Sequence, residues 1–501
     1  MKKIFYTSAI LVVLLATSCE KELTQNPISS ATTSTFYAIP NDFIQGVNAV
    51  YASLKTYPDR QLNLSETRSD NLYAVSDGGV RDWEGINSFQ KTLSSNPYIE
   101  EAWSTNYNGI YKANVVLDQL ATNGTIISDA NLRKRLEGET RFLRAFYYFD
   151  LVRWFGKVPL IDKVLSANDA LDIPRSDVSK IYDLIQSDLQ FSIDNLPEVY
   201  ATTEKGRVTK NAAKAILALV YMTKSGPTYD IEGPGLNSNE WGKAYTLLNE
   251  VVTSNKYAFI TSYPSIFSFT NENNSEVVFD VQYVTGASPI VGATFPWVLV
   301  PDGWFTSLGK AVQGGLQIRP VSVDLINAYS GADTRKSFSI QSGYVGTGGV
   351  VESRSFFKKY VDLTKVPANR IDWPINFIVL RYTDVLLLKA ECVLKGGGGN
   401  VATDVIVPVN QVRQRAGLLP IATLTLDQLM AERRLEFGSE GSRWHDLVRS
   451  GLVTTKIPAW ITAEDVQKQM QPFVKDFIIY PIPQTQLDVK QGLYTQNSGY
   501  N

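Results

Sequence analysis

Long stretches of the chain repeat apolar side chains at intervals of three and four residues, which is the spacing of an amphipathic α-helix. The pattern predicts helices over residues 42–55, 99–120 and 130–155, the last of which ends before Gly156 and Pro159. Further helices are predicted at residues 178–196, 210–224, 240–254, 377–394, 405–416 and 426–437. Consecutive helices are separated by short breaks and carry small residues at contact positions, as tetratricopeptide hairpins do. The predicted fold class is therefore mainly α, with a tetratricopeptide-like helical scaffold.

The helical period is lost between residues 257 and 376, where Gly, Pro and Ser become frequent. Within this stretch, residues 276–283 alternate apolar and polar side chains like a strand. We therefore expect residues 257–376 to form an irregular, loop-rich, ligand-binding subdomain with a few short strands, carried on the helical scaffold. The flanking residues 36–256 and 377–501 are then the N-terminal and C-terminal helical regions.

The first 18 residues have the pattern of a bacterial export signal, with two lysines before an apolar stretch too short to span a membrane. Small residues lead up to Cys19, as in the lipobox, where the cysteine thiol receives a diacylglyceryl group and becomes the mature N-terminus. The leucine usual three residues before that cysteine is replaced by Ala16. A plain cleaved signal with an incidental cysteine is the alternative. Residues 19–35 are polar and rich in Ser and Thr, which is typical of a tether behind a lipid anchor.

Composition and charge restrict the chemistry. The 501 residues include 48 Lys plus Arg and 50 Asp plus Glu, so the chain has no electrostatic basis for holding nucleic acid. One histidine and two cysteines cannot build a Cys/His zinc site, and the spacing of an EF-hand is absent. Neither a Gly-x-Ser-x-Gly elbow nor a P-loop occurs. We predict no cofactor, no metal and no enzymatic activity.

The second cysteine, Cys392, is expected on a buried helix face as a small apolar residue, without a disulfide partner.

Four segments carry a family resemblance. They are FY at 36–37 with GVNAVYASL at 46–54, GETRFLRAFYYFDLVR at 138–153, ERRLEF at 432–437 with RWHDL at 443–447, and YPIPQ at 480–484 with QNSGY at 496–500. Together with the lipobox, these segments resemble the SusD/RagB family of outer-membrane nutrient-uptake lipoproteins over essentially the whole mature chain. The resemblance implies a tetratricopeptide-like fold and a lipid-anchored binding protein on the cell surface. It also implies a partner, a SusC-like TonB-dependent transporter that the lipoprotein caps.

The function implied by the resemblance is non-catalytic capture of an oligosaccharide and its delivery to the transporter. Two alternatives stay open at this point. The RagB side of the family implies capture of peptides by the same scaffold. A surface glycosidase is the third possibility, because any two acidic side chains can converge in space to form a catalytic carboxylate pair.

The residues of the resemblance segments are themselves typical of structural positions. Aromatic side chains are dense at helical spacing in residues 138–153, which indicates a helix in the core whose charges pair with other helices. Arg433 and Arg434 lie within helical reach of Glu436, which predicts a salt-bridge network at a helix end. His445 is expected to pack beside Trp444 within that network rather than to act as a general base.

The candidate ligand-binding residues are aromatic and polar side chains without helical period, because aromatic rings stack on sugar rings while Asp, Asn and Arg bond hydroxyl groups. They fall in the predicted loops 58–98 and 286–315. The candidates are Arg68, Asp70, Asn71, Tyr73, Arg81, Asp82 and Trp83 in the first loop, and Phe295, Trp297 and Trp304 in the second. The alternative for each tryptophan is that it anchors a loop on the scaffold.

Overall fold

A computed structural model describes residues 36–75, 81–310 and 316–501, and it is 53% helical. The helices of eight or more residues are α1 (Pro40–Ala52), α2 (Pro97–Asn123), α3 (Ala130–Phe155), α4 (Val178–Asn195), α5 (Lys210–Ser225), α6 (Trp241–Thr253), α7 (Tyr382–Leu394), α8 (Val407–Arg415), α9 (Leu426–Phe437), α10 (Arg443–Ser450) and α11 (Val453–Glu464). The mainly α fold class is thereby confirmed. The predicted signal, the Cys19 anchor and the tether lie outside the described residues.

Local capping explains why the longest helices begin and end where they do. The Asn96 side chain accepts a hydrogen bond from the Tyr98 amide at the start of α2, and Asp129 caps the start of α3 in the same way. Helix α3 ends at Gly156, whose backbone has a φ of 66° and packs against the carbonyl of Glu232. A side chain at residue 156 would clash with that carbonyl, so only glycine fits this turn.

The long helices pack in series along the chain. Helix α2 packs on α3, α3 on α4, α4 on α5, α5 on α6, and α6 on α7, which closes the series against the C-terminal helices. Helix α3 lies at its centre, and every residue from Phe142 to Phe155 is buried, so the predicted core position of this segment is confirmed. Cys392 in α7 is fully buried, also as expected. Among the described residues, we find no helix that combines the length and the apolar character needed to cross a membrane.

Short helices occupy much of the chain that was expected to be loop. They are Tyr57–Arg60, Asp82–Asn87, Ala167–Ala170, Tyr263–Ile266, Phe295–Val298, Asp302–Ser307, Val323–Ala328, Thr334–Ser339 and Gln484–Val489, with π-helices at Gln61–Glu66 and Val401–Ile406 and 3-10 turns at Ser53–Thr56, Gly124–Ile126, Thr202–Glu204, Thr347–Gly349 and Lys475–Ile478. The prediction of a surface loop over residues 58–98 is therefore wrong for its first part, because all six residues of Gln61–Glu66 are buried.

The described residues contain six short strands in three antiparallel pairs. They are β1 (Val158–Pro159) with β2 (Arg175–Ser176), β3 (Val277–Val281) with β6 (Phe377–Arg381), and β4 (Ile340–Val345) with β5 (Val351–Phe357). The strand predicted at residues 276–283 is β3. The helix predicted from residue 377 begins only at Tyr382, because the apolar residues before it pair with β3 instead. The limits of the three predicted regions stay predictions.

Buried ion pairs join the C-terminal helices to the rest of the scaffold. Glu436 in α9 accepts from Arg335, Arg381 and Arg415, at 3.1, 2.8 and 2.7 Å. None of these partners is on its own helix, so the pairing of Glu436 with Arg433 and Arg434 expected from helical spacing is wrong. The neighbouring pairs are Arg433 with Asp446, Arg434 and Arg443 with Asp70, and Arg449 with Glu391. We call this set, together with Glu436 and its three partners, the ionic core.

Candidate ligand-binding face

Three of the predicted ligand-binding residues belong to the interior. The Arg68 guanidinium donates to the carbonyl of Phe477 at 2.8 Å and to the hydroxyl of Tyr500 at 2.9 Å. Asp70 accepts two hydrogen bonds of 2.8 Å from Arg443. Asn71 donates to Glu66 at 2.8 Å. All three side chains are at most 3% exposed. The prediction that they lie on a loop surface and contact a ligand is therefore wrong, and their contacts stabilise the fold instead.

The pKa of Asp70 reflects this enclosure. Burial alone would raise the pKa of the carboxyl group, but the guanidinium groups of Arg434 and Arg443 outweigh it and hold the pKa below its ordinary value. Asp70 therefore stays ionised inside the protein. Its charge is already balanced by the protein's own cations, which leaves it no bonding capacity directed at a ligand.

The remaining residues of the first predicted set lie nearer the surface. The Tyr73 hydroxyl donates to Asp465 at 2.7 Å, and Asp82 is exposed at the start of its short helix. The backbone amide of Arg81 donates to Glu84 at 3.3 Å, which caps the same helix. Trp83 is buried under Arg319, whose guanidinium carbon lies 4.3 Å from the ring centre. Trp83 therefore anchors this helix, as the structural alternative predicted.

The three aromatic candidates of the second set divide in the same way. Phe295 is buried against Tyr360 and Phe377, with ring centres 4.9 and 5.0 Å away. Trp304 is buried against Phe356 at 5.4 Å. Trp297 is the one that stays partly exposed. Of the three aromatic rings that the sequence pattern selected, one is therefore accessible and two are packed in the interior.

Trp297 is positioned by charged neighbours from a separate segment. The guanidinium carbon of Arg370 lies 3.9 Å from the centre of the indole ring, close enough for a cation–π contact. Arg370 in turn lies 3.6 Å from the Asp302 carboxylate. Its side chain is 25% exposed, so a ligand on the ring would also reach the guanidinium group. Sequence reasoning missed Arg370, although it stands in PANRIDWP at 367–374, an aperiodic segment of the same composition.

A second charged group lies beside the helix that carries Trp297. Thr294, three residues before Trp297, donates its hydroxyl to the Asp59 carboxylate. The buried Arg319 contributes an electrostatic contact with Asp59 and donates to the Asn63 amide oxygen at 2.7 Å. Arg319 thus connects the Trp83 anchor to the surroundings of Trp297. Asp372 and Trp373 lie at the same place, because the backbone of Trp373 pairs with that of Ala293, the residue before Thr294. We call Asp59, Trp297, Asp302, Arg319, Arg370, Asp372 and Trp373 the Trp297 face.

The Trp297 face has buried polar atoms that find no hydrogen-bond partner within the protein. They are Asp59 Oδ1, Trp297 Nε1, Arg319 Nε, Arg370 Nη1, Asp372 Oδ1 and Trp373 Nε1. In the part of the chain that the structure describes, 18 enclosed side-chain atoms lack such a partner, so a third of them lie here. Buried donors and acceptors are normally paired, and an unpaired group calls for a ligand, ion or water to complete it. The clustering marks this face as a place where bonds are left for a bound molecule.

The electrostatics of the face follow from burial. Burial raises the pKa of the Asp59 carboxyl to about 7, against the opposing effect of the hydrogen bond from Thr294. Burial also raises the pKa of Glu101, whose charge acts on Asp59. The pKa of Arg319 is lowered by burial as well. Near neutral pH, Asp59 therefore exists in both its protonated and its ionised forms.

Outside this face, the single histidine has no catalytic surroundings. His445 packs against Trp154, with ring centres 4.3 Å apart and the rings tilted by 48°, so the tryptophan beside it is Trp154 and not the predicted Trp444. Burial lowers the pKa of the imidazole, and the charges of Arg153 and Arg449 lower it further. The ring is therefore neutral and enclosed. In the described ranges, His, Cys, Asp and Glu side chains form no group of three or more suited to hold a metal ion.

Comparison with known proteins places the chain in a family. A family model described as starch-binding and associating with the outer membrane matches residues 24–222. A second, described as the SusD family, matches residues 327–500, so the two cover about three quarters of the chain. The chain belongs to the SusD/RagB family. The resemblance drawn from the four sequence segments is thereby confirmed.

Individual relatives extend this similarity over most of the length. The SusD-like protein of Bacteroides ovatus is 28% identical over 478 residues, which cover 89% of this chain and 83% of that protein. The starch-binding protein SusD of Bacteroides thetaiotaomicron is 25% identical over 452 residues, covering 78% of this chain and 76% of that protein.

Solved structures of SusD/RagB relatives share the fold. Surface glycan-binding protein A of Bacteroides thetaiotaomicron, in complex with laminarihexaose, aligns with a TM-score of 0.77 at 23% identity, covering 92% of this chain and 100% of that one. A laminarin-binding SusD-like protein aligns with a TM-score of 0.75 at 26% identity, again covering 92% and 100%. The predicted tetratricopeptide-like architecture is confirmed by these neighbours.

Proposed function

We propose that this SusD/RagB protein binds an oligosaccharide at the outer-membrane surface through the Trp297 face and passes it to a SusC-like TonB-dependent transporter. It acts by binding, without catalysis. The observation that carries the proposal is the partly exposed Trp297 ring, whose own Nε1 and the Nη1 of the Arg370 that lies over it have no hydrogen-bond partner in the protein. Unpaired buried atoms also occur in and beside the ionic core, at Arg415 Nε and Glu432 Oε1, but both side chains make ion pairs of 3.0 Å or less with the protein's own charges.

The chemistry of the Trp297 face suits a sugar. A pyranose ring has an apolar face that packs on an aromatic ring, and hydroxyl groups around its edge that donate and accept hydrogen bonds. Trp297 offers the ring, and Arg370, which the buried Asp302 holds in place, offers donors at its side. Asp59 adds a carboxyl oxygen that is free of protein partners. A neutral hydroxylated ligand satisfies both kinds of group without bringing an unbalanced charge.

The relatives support the class of ligand and the location. One family model carries the description of starch binding and outer-membrane association, and two structural neighbours are named for laminarin or a laminarin hexasaccharide. A lipid anchor at Cys19 would hold the protein at that membrane, since two or more acyl chains suffice for stable attachment. The SusC-like partner comes from the family resemblance of the four sequence segments.

A glycosidase is the second candidate, because one observation favours it. Asp59 has a carboxyl pKa of about 7 and feels the charge of Glu101, as the acid in a pair of catalytic carboxylates does. Against it, the Asp59 carboxylate is held by Thr294 and its free oxygen is enclosed. The two candidates differ in whether the bound sugar is cleaved.

The first experiment titrates the purified protein with laminarihexaose, maltohexaose and a mixture of hexapeptides, and assays each mixture for new reducing ends after prolonged incubation. We expect saturable binding of at least one hexasaccharide with no release of reducing sugar. Release of reducing sugar would establish the glycosidase instead. Binding confined to the peptides would establish RagB-like peptide capture.

The partner requires a separate experiment. The full-length protein carrying an affinity tag at its C-terminus is purified from detergent-solubilised outer membranes of its own cells, with a Cys19→Ala variant as control. We expect a large TonB-dependent barrel protein to co-purify with the unmodified chain. Recovery of the chain from outer membranes without any such protein would contradict the transporter part of the proposal.

A further inference from the structure

A second hollow lies between helix α1, the segment 198–209 and strand β3, and none of its lining residues belongs to the Trp297 face. It has two adjoining compartments of about 380 and 260 Å³. Both are lined by Lys205, Gly206, Arg207 and Asp280, which form the ridge between them. The larger compartment falls within the range typical of small-molecule binding pockets. We call the two compartments together the Asp280 cleft.

The ridge carries a buried carboxylate with an unused oxygen. Asp280 is 4% exposed, and its Oδ1 accepts a hydrogen bond from Gln282 at 2.7 Å. Its Oδ2 is enclosed and has no hydrogen-bond partner of normal length and angle in the protein. Burial raises the pKa of this carboxyl group, and the side chains of Gln282 and the nearby Asn376 partly oppose that rise. Leaving a buried acceptor unpaired is unfavourable, so such an atom indicates a bond that something else completes.

The ridge is held rigidly by its neighbours. Arg207 donates to Glu139 at 2.8 Å and to Asn48 at 3.0 Å, which fixes the guanidinium group across the top of the cleft. Gly206 has a φ of +92°, and a Cβ placed there would lie 2.5 Å from the Gln282 side chain. The glycine therefore lets Gln282 approach the ridge and hold Asp280 in place.

The lining of the cleft selects the chemistry of a ligand. Its cationic side chains are Lys55, Lys205, Arg207 and Lys256, and its acidic ones are Glu198, Glu204 and Asp280. Since these charges nearly balance, neither an anion nor a cation is strongly preferred. The other large side chains are four half-buried tyrosines, Tyr51, Tyr200, Tyr257 and Tyr283. Tyrosine rings with amide groups around them fit a neutral, hydroxyl-rich molecule.

We infer that the Asp280 cleft is a second binding site for a short neutral oligosaccharide, in addition to the Trp297 face. A hydroxyl group of the sugar donates to Asp280 Oδ2, while its rings pack on the tyrosines. The inference does not depend on the function of the Trp297 face. A protein with two such sites would hold one long glycan at two points, or two short ones at once.

Hydrogen exchange with mass spectrometry tests the two sites separately. The purified protein is exchanged with and without saturating laminarihexaose or maltohexaose, and protection is compared in peptides from residues 198–209, 273–283 and 294–304. The blocking variant is Ala52→Trp, because Ala52 is exposed and lines the larger compartment. Ala121→Trp, at an exposed position on α2, is its matched control. Circular dichroism checks that each variant is folded.

With at least one hexasaccharide we expect protection of residues 198–209 and 273–283 in the unmodified protein and in Ala121→Trp, and its loss in Ala52→Trp. Asp280→Asn keeps the bond from Gln282 and should raise the sugar concentration needed for half-maximal protection about tenfold. Protection confined to residues 294–304, or unchanged in Ala52→Trp, would overturn the second site and leave the Trp297 face intact. Protection of the Asp280 cleft alone would overturn the Trp297 face instead.

Discussion

The ionic core and the Trp297 face are built from the same kinds of residue and differ in how their polar atoms are paired. In the ionic core, buried Glu436 contacts three arginines, and Asp70 accepts two bonds from Arg443. On the Trp297 face, Asp59 Oδ1 and Arg370 Nη1 have no hydrogen-bond partner, and the ion pair of Arg370 with Asp302 is 3.6 Å long. Arg415 Nε in the ionic core also lacks a partner, but its guanidinium group makes ion pairs of 2.5 and 2.7 Å. A buried charge with its partners in place stabilises a structure, whereas unpaired polar atoms are retained where a ligand completes them.

Three expected outcomes sharpen this comparison, from two losses of about 3–5 kcal/mol, in the ionic core and at the Trp83 anchor under Arg319, to one of about 1 kcal/mol. Replacing Glu436 by glutamine should cost about 3–5 kcal/mol of unfolding free energy, because it leaves Arg335, Arg381 and Arg415 buried with less compensating charge. Urea unfolding measures the change. The control is Asp427→Asn, which breaks the exposed pair with Lys456 at 2.8 Å and should cost less than about 1 kcal/mol. Equal costs for the two variants would contradict the assignment of the ionic core.

Trp83→Ala should lower stability rather than affinity, because Trp83 is 7% exposed and lies under Arg319. Loss of a buried tryptophan costs about 3–5 kcal/mol, and the packing with Arg319 adds to the effect. Thermal unfolding measures the loss, and titration of the folded variant measures the affinity. A variant with unchanged stability but weakened sugar binding would return Trp83 to the ligand-binding residues.

The smallest effect concerns pH. Because the pKa of Asp59 is raised to about 7, its contribution to stability is complete below its unfolded pKa near 4 and is lost as the pH rises towards 7. Between pH 5 and 8, the free energy of unfolding should therefore fall by about 1 kcal/mol less in Asp59→Asn than in the wild type. This value is smaller than the shift in pKa alone would give, because Asp59 is partly exposed and solvent screens its charge. Urea unfolding at both pH values measures the slope. Asp280 has the same raised pKa, so part of the decline remains in the variant; an identical slope in wild type and variant would refute the assignment.

Local signals were enough to predict much of the fold. Helix α3 was predicted at its observed limits, Ala130–Phe155, because its apolar period and the Gly156 and Pro159 that follow it are local signals. Residues 377–381 were predicted as helix and form β6, because a short apolar run is compatible with either and its strand partner lies about 100 residues away. A local sequence pattern does not show which distant segments pair with each other, so it could not predict this strand.

The candidate ligand-binding residues show the same limit. Arg68 and Asp70 looked like surface residues because they are polar and lack a helical period, yet the partner of Asp70 is Arg443, 373 positions away. Trp297 was found by the same signal and is partly exposed. Aromatic and polar composition thus identifies segments that lie outside the long helices. Which of their side chains remain accessible depends on contacts with residues that are distant in the sequence.

The most direct test of the account is the affinity of the Trp297→Ala variant for the hexasaccharide that the unmodified protein binds, measured by isothermal titration calorimetry. Tyr111→Ala is the matched control, because Tyr111 is an aromatic residue 54% exposed on α2. We predict that Trp297→Ala loses about 1–3 kcal/mol of binding free energy while Tyr111→Ala binds like the unmodified protein. Equal affinities for Trp297→Ala and the unmodified protein would contradict the Trp297 face as the binding site.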